Sequence, residues 1–218
     1  MDVQYWTSRG FAVVEVNYGG STGYGREYRD RLTGKWGQVD VSDLMSAVEF
    51  LARYDKADPR RLVVRGESAG GYTALSAVSH RTAFRAAASY YGISDLATLR
   101  QTLPKFESHY LEHLVGPYDE QLYRERSPLH QPDQIQSPVL FFHGLDDRVI
   151  DPSQTQSLVN LLIARGLPVG SQFFPGEGHG FSNPAVIARC LEAELAFYGR
   201  VLGIRLAERV DGISMENW

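Results

Sequence analysis

The segment Gly66-Glu67-Ser68-Ala69-Gly70 constrains the fold of this chain more than any other stretch of its sequence. It follows the apolar run Leu62-Val63-Val64 and leads into residues 71–78, whose small side chains and apolar spacing are typical of a helix packed on a sheet. The pattern predicts a strand, a sharp turn and a helix, with a serine hydroxyl exposed at the turn. Positions two before and two after that serine are crowded in such a turn, which explains the two glycines. Ser68 is therefore the predicted nucleophile.

Two later segments contain the groups that activate a serine: His143-Gly144-Leu145-Asp146-Asp147 and Gly176-Glu177-Gly178-His179-Gly180-Phe181. A hydroxyl needs a base to take its proton, and the base needs a carboxylate to fix its tautomer. His179 and Asp147 fit these roles, since each follows a candidate strand whose carboxyl end lies at the ligand-binding edge of an open α/β sheet. The order Ser, Asp, His is that of the α/β-hydrolase fold. From the residues alone, Asp146 and Asp151 also fit the role of the acid.

Strand and helix patterns alternate along the chain, which predicts an α/β fold: a mostly parallel sheet covered by helices on both faces. The predicted strands are residues 11–16, 62–65, 86–90, 139–142 and 171–174. The predicted helices are residues 3–9, 41–54 with Asp40 as N-cap, the helix after the turn, 106–114, 152–164 and 184–202. The less regular residues 92–137 are predicted to form a cap over the site.

Composition restricts the remaining classes. The length of 218 residues and the hydrophobic content of 43% predict one domain over residues 1–218. Its C-terminal tail, residues 207–218, is predicted to be disordered. The net charge of −4 without basic runs excludes nucleic acid and anionic membranes as expected partners, and the chain has no span of 18 apolar residues. The first residues lack the features of a signal peptide, so the expected location is cytoplasmic. Homo-oligomer formation stays open.

Two further sequence features have ordinary interpretations. His109-Tyr110-Leu111-Glu112-His113 matches the H-x-x-E-H zinc-peptidase pattern, but a zinc site needs a third protein ligand. We therefore expect no metal and no cofactor. Cys190 is the one cysteine and occurs in a helical apolar pattern, which predicts a reduced packing residue.

Four segments together carry a resemblance to a known family. They are Asn17-Tyr18-Gly19-Gly20-Ser21-Thr22-Gly23-Tyr24-Gly25, the Gly-Glu-Ser-Ala-Gly-Gly turn, the segment from His143 to Asp147 with Gln154 following, and Gly178-His179-Gly180-Phe181. The chain resembles the catalytic domain of prolyl oligopeptidase family serine peptidases, most closely the acylaminoacyl-peptidase and dipeptidyl-aminopeptidase branch. This resemblance implies that Ser68, Asp147 and His179 form the triad. The family places the acid four residues after its His-Gly pair, which favours Asp147 over Asp146.

The sequence departs from the family pattern in two respects. Gly19 stands where many members carry arginine. Members also have several strands and a His-Gly-Gly turn, which donates to the oxyanion, before the point where this sequence begins. The resemblance therefore implies a sheet that lacks a central strand between residues 11–16 and 62–65, and a chain that is poorly soluble or slow by itself. A β-propeller of the kind found in this family does not fit within the chain length.

The three site segments predict a serine hydrolase that acts through an acyl-enzyme, and the resemblance implies a serine peptidase whose substrates are short peptides. The backbone N–H of Ala69 is the predicted oxyanion donor. Residues 90–96 are predicted to wall the pocket for the side chain that precedes the cut. A carboxylesterase acting on small esters is the alternative enzyme, since the same triad cleaves esters. A third interpretation is a truncated hydrolase-like domain with little activity.

Overall fold

The structure is a computed structural model, and it describes residues 2–80 and 83–218. The α-helices are α1 (Asp2–Thr7), α2 (Arg26–Asp30), α3 (Val39–Arg53), α4 (Ala69–His80), α5 (Leu96–Thr102), α6 (Tyr110–Leu114), α7 (Glu120–Glu125), α8 (Pro152–Ala164) and α9 (Pro184–Leu202). The strands are β1 (Val63–Glu67), β2 (Ala86–Tyr90), β3 (Val139–Gly144), β4 (Val169–Phe174) and β5 (Met215–Glu216). Short 3₁₀ helices occur at Lys105–Glu107, Pro128–His130 and Pro132–Gln134.

The strands form one sheet in the order β1-β2-β3-β4-β5. Neighbouring strands from β1 to β4 are parallel, and β5 is antiparallel to β4. Strands β2 and β3 are buried along their whole length, as expected for parallel strands with helices on both faces. The sheet therefore brings the carboxyl ends of β1, β3 and β4 to one edge, where the predicted site residues follow.

Helices cover both faces of the sheet, which confirms the predicted fold class. Alternate residues of a strand point to opposite faces, so Phe141 packs in one core and Phe142 in the other. The first core is formed against α3, α4 and α8, and the second against α1 and α9. A third apolar cluster joins Trp36 and Tyr72 to α5, α6 and α7. This third cluster attaches the predicted cap region to the body of the domain.

The prediction of a strand at residues 11–16 is wrong, because this segment is not part of the sheet. Within the described chain, no strand pairs with the outer edge of β1. A cavity of about 810 Å³ separates the two, lined by residues 10–16, by β1 and by side chains of α3 and α4. Val13 and Val14 are exposed beside it. A strand needs a neighbour for its ladder hydrogen bonds, and residues 11–16 have none within reach.

The tail predicted to be disordered, residues 207–218, contains the short strand β5. Strand β5 pairs with β4, and Asn217 donates to the carbonyl of Ile163 at 2.8 Å. The predicted helix at 106–114 is divided between a 3₁₀ turn and α6. Asp40 lies inside α3 rather than at its N-cap. It is buried and accepts a hydrogen bond from Thr73.

In the part of the chain that the structure describes, no helix has the length and apolar character needed to cross a membrane.

Candidate active site

Ser68 lies on the turn between β1 and α4, as predicted. Its φ of 52° is in the left-handed region, which non-glycine residues rarely adopt without a functional reason. The turn is held by the Ser68 N–H, which donates to the Tyr90 carbonyl at 2.9 Å. A Cβ on Gly66 would lie 2.1 Å from the carbonyl oxygen of Gly70. The first glycine is therefore required because the helix backbone returns directly onto it.

The prediction that crowding requires a glycine two residues after Ser68 is wrong for Gly70. A Cβ on Gly70 would meet nothing within 4 Å, so steric crowding does not require a glycine there. The tight position is Gly71, where a Cβ would lie 2.7 Å from the Cα of Gly92. Gly71 thus permits α4 to pack closely against the segment that follows β2.

The structure brings Ser68, His179 and Asp147 together from three different loops. Nε2 of His179 lies 2.8 Å from Oγ of Ser68, and its Nδ1 lies 2.8 Å from Oδ2 of Asp147. The hydroxyl, the imidazole and the carboxylate form one continuous hydrogen-bonded series. Chemically, such a series moves a proton from the hydroxyl to the imidazole while the carboxylate stabilises the imidazolium.

Asp147 is held by more donors than His179 alone. Its Oδ1 accepts the backbone N–H groups of Val149 and Ile150 at 2.8 and 2.9 Å, and Nε2 of the buried His143 lies 3.2 Å from Oδ2. Burial by itself would raise the pKa of Asp147, but these hydrogen bonds and that of His179 outweigh it and hold the pKa well below its usual range. The carboxylate therefore stays ionised at neutral pH.

The two alternative acids have other positions. Asp146 is exposed, and its N–H donates to the carbonyl of Glu177 at 2.9 Å. Asp151 caps α8 by accepting the N–H of Ser153. Of the three aspartates, Asp147 is the one within hydrogen-bond distance of His179.

Glu177 anchors the loop that carries His179, a role that the sequence analysis did not assign. Its carboxylate is buried and accepts the N–H groups of Ser182 and Asn183 at 2.8 and 3.1 Å, which closes residues 177–183 into a compact loop. The carboxylate also lies at the N-terminus of α9, where the helix dipole favours negative charge. The segment Gly-Glu-Gly-His contained this residue, but burial of its charge is not readable from sequence.

Tyr91 contacts the imidazole directly and is the member of the predicted pocket wall that reaches the site. Its ring centroid lies 5.0 Å from that of His179 at an interplanar angle of 64°, and it also packs on Phe181. Tyr91 has a φ of 38°, a second strained backbone position beside the site. Farther along the predicted wall, Ile93 and Leu96 are buried in the third apolar cluster.

The remaining predicted residues have simpler surroundings. Ala69 is the first residue of α4, so its N–H has no partner within the helix and is available to an oxyanion. His109 bonds Glu112 at 2.8 Å, and His113 lies 3.3 Å from Thr33 Oγ1. Within residues 2–80 and 83–218, no three His, Cys, Asp or Glu side chains form a metal-binding group. Cys190 is buried in the second core, as expected for a packing residue.

Gly19 and Gln154, from the segments that carry the family resemblance, both have defined contacts. The N–H of Gly19 donates to Asp43 at 2.7 Å, and a Cβ there would lie 2.8 Å from Val39. A side chain at position 19 therefore needs rearrangement of its neighbours. Gln154 is buried, and its Oε1 accepts the N–H groups of Ser94 and Asp95. It thereby holds residues 94–95, which follow Tyr91 in the chain, against α8.

Comparison with known proteins gives consistent relatives. The chain is 31% identical over 189 residues to dipeptidyl aminopeptidase BIII of Pseudoxanthomonas mexicana, which covers 83% of this chain and 27% of that protein. Among solved structures, a puromycin-hydrolyzing peptidase of Mycobacterium tuberculosis matches with a TM-score of 0.95 and 46% identity over 99% of this chain. The acylaminoacyl peptidase of Pyrococcus horikoshii matches with a TM-score of 0.86 and 25% identity over 98% of this chain.

The chain spans about a third of the length of these two solved chains, 33% and 35%, and about a quarter of the first relative. The sequence model of the prolyl oligopeptidase family matches residues 1–205, which is nearly the whole chain. The fold agrees with this match, as does the order of the three site loops. The chain therefore belongs to the prolyl oligopeptidase family.

Proposed function

We propose that this protein is a serine peptidase that hydrolyses short peptides, with Ser68 as nucleophile, His179 as base and Asp147 as the orienting acid. The observation that carries the proposal is the hydrogen-bonded series from Ser68 Oγ through His179 to Asp147, with both distances at 2.8 Å. The strained backbone of Ser68 adds support, since such a turn exposes the hydroxyl to substrate.

The reaction proceeds by acyl transfer. His179 removes the proton of Ser68 as Oγ bonds to the substrate carbonyl carbon, and the N–H of Ala69 donates to the resulting oxyanion. The C–N bond then breaks, the leaving amine takes the proton from His179, and an ester remains on Ser68. Water, deprotonated by His179, attacks this ester, and the acid leaves as Ser68 regains its proton.

The names of the relatives support peptides and aminoacyl amides as the substrate class. One is a dipeptidyl aminopeptidase, one a puromycin-hydrolyzing peptidase and one an acylaminoacyl peptidase. We propose that this chain acts on aminoacyl or acylaminoacyl anilides and short peptides and does not hydrolyse long-chain lipid esters. We also propose a cytoplasmic location, and cell fractionation tests it. A reducing compartment is compatible with the one cysteine of the sequence, Cys190, which is buried and free.

A fluorophosphonate probe tests the nucleophile. We expect the protein to be labelled, the adduct to map to Ser68, and Ser68→Ala to abolish both labelling and anilide hydrolysis. Ser182→Ala is the matched control, because this exposed serine lies on the His179 loop and contributes its backbone N–H rather than its hydroxyl. Labelling that persists in Ser68→Ala contradicts the assignment. Hydrolysis of simple esters without any amide hydrolysis would instead establish the carboxylesterase alternative.

A further inference from the structure

Glu67 is a charged side chain beside the proposed nucleophile that the proton-transfer series does not use. It is the last residue of β1, directly before Ser68, and its side chain is 50% exposed. Oε2 accepts a hydrogen bond from the hydroxyl of Tyr91 at 2.7 Å. Oε1 lies 4.0 Å from Nη2 of Arg65.

Arg65, the cation beside Glu67, also pairs with a second carboxylate. Arg65 is already engaged by Glu194, whose fully buried carboxylate accepts from Nε at 3.0 and 3.3 Å. One guanidinium thus lies between two carboxylates. Because the second carboxylate is the exposed one, the end of β1 presents negative charge to solvent.

Glu67 is connected to the proposed catalytic base through Tyr91. Tyr91 donates to it, and the same Tyr91 ring packs on the imidazole of His179. The N–H of Tyr91 donates to the carbonyl of Phe142 at 2.7 Å, which ties this residue to β3. The carboxylate is therefore hydrogen-bonded to a side chain that also contacts the proposed base.

A carboxylate on the residue next to a nucleophilic serine works against the reaction, because negative charge develops on the oxyanion in the transition state. A cation that arrives with the substrate removes this disadvantage and gains a charge-assisted hydrogen bond. In an unblocked aminoacyl substrate, the α-ammonium group is attached to the carbon beside the attacked carbonyl. It therefore arrives close to the nucleophile whenever the carbonyl does.

We propose that Glu67 binds the free α-ammonium group of the residue whose carbonyl Ser68 attacks, so that the protein prefers unblocked aminoacyl substrates to N-acylated ones. This inference depends on the proposed function of Ser68. Tyr91 acts as a positioning residue, since its hydroxyl orients the carboxylate that receives the ammonium group.

The test compares one aminoacyl anilide with its N-acetylated form and with a dipeptidyl anilide. We expect the unblocked aminoacyl anilide to have the highest kcat/KM. Glu67→Gln should lower kcat/KM for it by about tenfold or more, mainly through KM, with little change for the acetylated form. Tyr91→Phe keeps the ring against His179 and should lose part of the same preference. Glu49→Gln, on the exposed side of α3, is the matched control.

The neutral fluorophosphonate probe separates this inference from the proposed function. Unchanged labelling of Ser68 in Glu67→Gln, together with lost amine preference, supports the ammonium site. Equal losses for all three substrates together with slower labelling show that Glu67 acts through His179 and overturn it. A wild-type preference for the acetylated or the dipeptidyl anilide overturns it as well. If Glu67→Gln does not fold, Glu67→Asp replaces it, with a reduced but measurable amine preference expected.

Discussion

A Cβ atom placed on Gly144 would lie 2.2 Å from the carbonyl oxygen of Glu177. Gly144 ends β3 and precedes the loop of Asp147, and Glu177 begins the loop of His179. Because backbone meets backbone here, the two loops approach closely enough for the carboxylate and the imidazole to bond. Gly144 therefore permits the close approach of the two loops that carry the proposed acid and the proposed base.

The first prediction follows from this contact. Gly144→Ala forces the two loops apart and should lower probe labelling of Ser68 and anilide turnover by about a hundredfold, comparable to loss of one catalytic hydrogen bond. Gly178→Ala is the matched control, since a Cβ there would meet only the Asp146 carbonyl at 3.8 Å, an ordinary contact. Equal effects of the two substitutions would show that the close approach is not what aligns the site.

The second prediction distinguishes the two adjacent aspartates. Asp147→Asn should lower kcat by about 10³–10⁴-fold, because an amide favours the wrong imidazole tautomer. Asp146→Asn should have little effect, since this exposed residue contributes its backbone N–H to Glu177. Steady-state kinetics with an anilide measures both. A larger loss in Asp146→Asn moves the acid by one residue.

The third prediction concerns the buried carboxylate of Glu177. Glu177→Ala leaves the N–H groups of Ser182 and Asn183 without their acceptor, which should cost on the order of 3 kcal/mol of unfolding free energy and slow probe labelling. Glu177→Gln keeps one carbonyl acceptor and should show about half of this cost. Denaturant unfolding measures the stability. An unchanged midpoint in Glu177→Ala would contradict the anchoring role.

The fourth prediction is a pH dependence of stability. The pKa of Asp147 is lowered in the folded protein, whereas in an unfolded chain it is about 3.9. At acidic pH the unfolded state therefore binds more protons, and the ionised carboxylate stabilises the fold fully above about pH 4 and progressively less below it. The stability difference between wild type and Asp147→Asn should be largest near neutral pH and shrink below about pH 4. A difference that grows on acidification would show that the pKa is raised instead.

The fifth prediction concerns the cavity between residues 11–16 and β1. An N-terminally extended form that supplies a strand and a His-Gly-Gly turn should fill this cavity, pair with β1 and add an oxyanion donor. We expect a higher midpoint of thermal unfolding and turnover about 10²–10³-fold faster than that of the 218-residue chain. Equal stability and equal rates in the two forms would contradict this account of the cavity.

Local patterns in the sequence were sufficient for most of the fold. Apolar periodicity predicted α8 and α9 with their bounds, and the central strands to within a few residues, because these elements bury a face that their own residues define. The turn at Ser68 and the order of the three site loops were also readable. In each case the signal comes from residues that are neighbours along the chain.

The tertiary structure decided what depends on contacts between distant segments. Residues 11–16 have a strand-like sequence but no neighbour to pair with, so they stay outside the sheet. The short strand β5 forms because β4 offers it an edge. Asp147 lies within hydrogen-bond distance of His179 although 32 residues separate them in sequence. Hydrogen bonds and burial across such separations leave no periodic trace in sequence, because they depend on where the backbone returns in space.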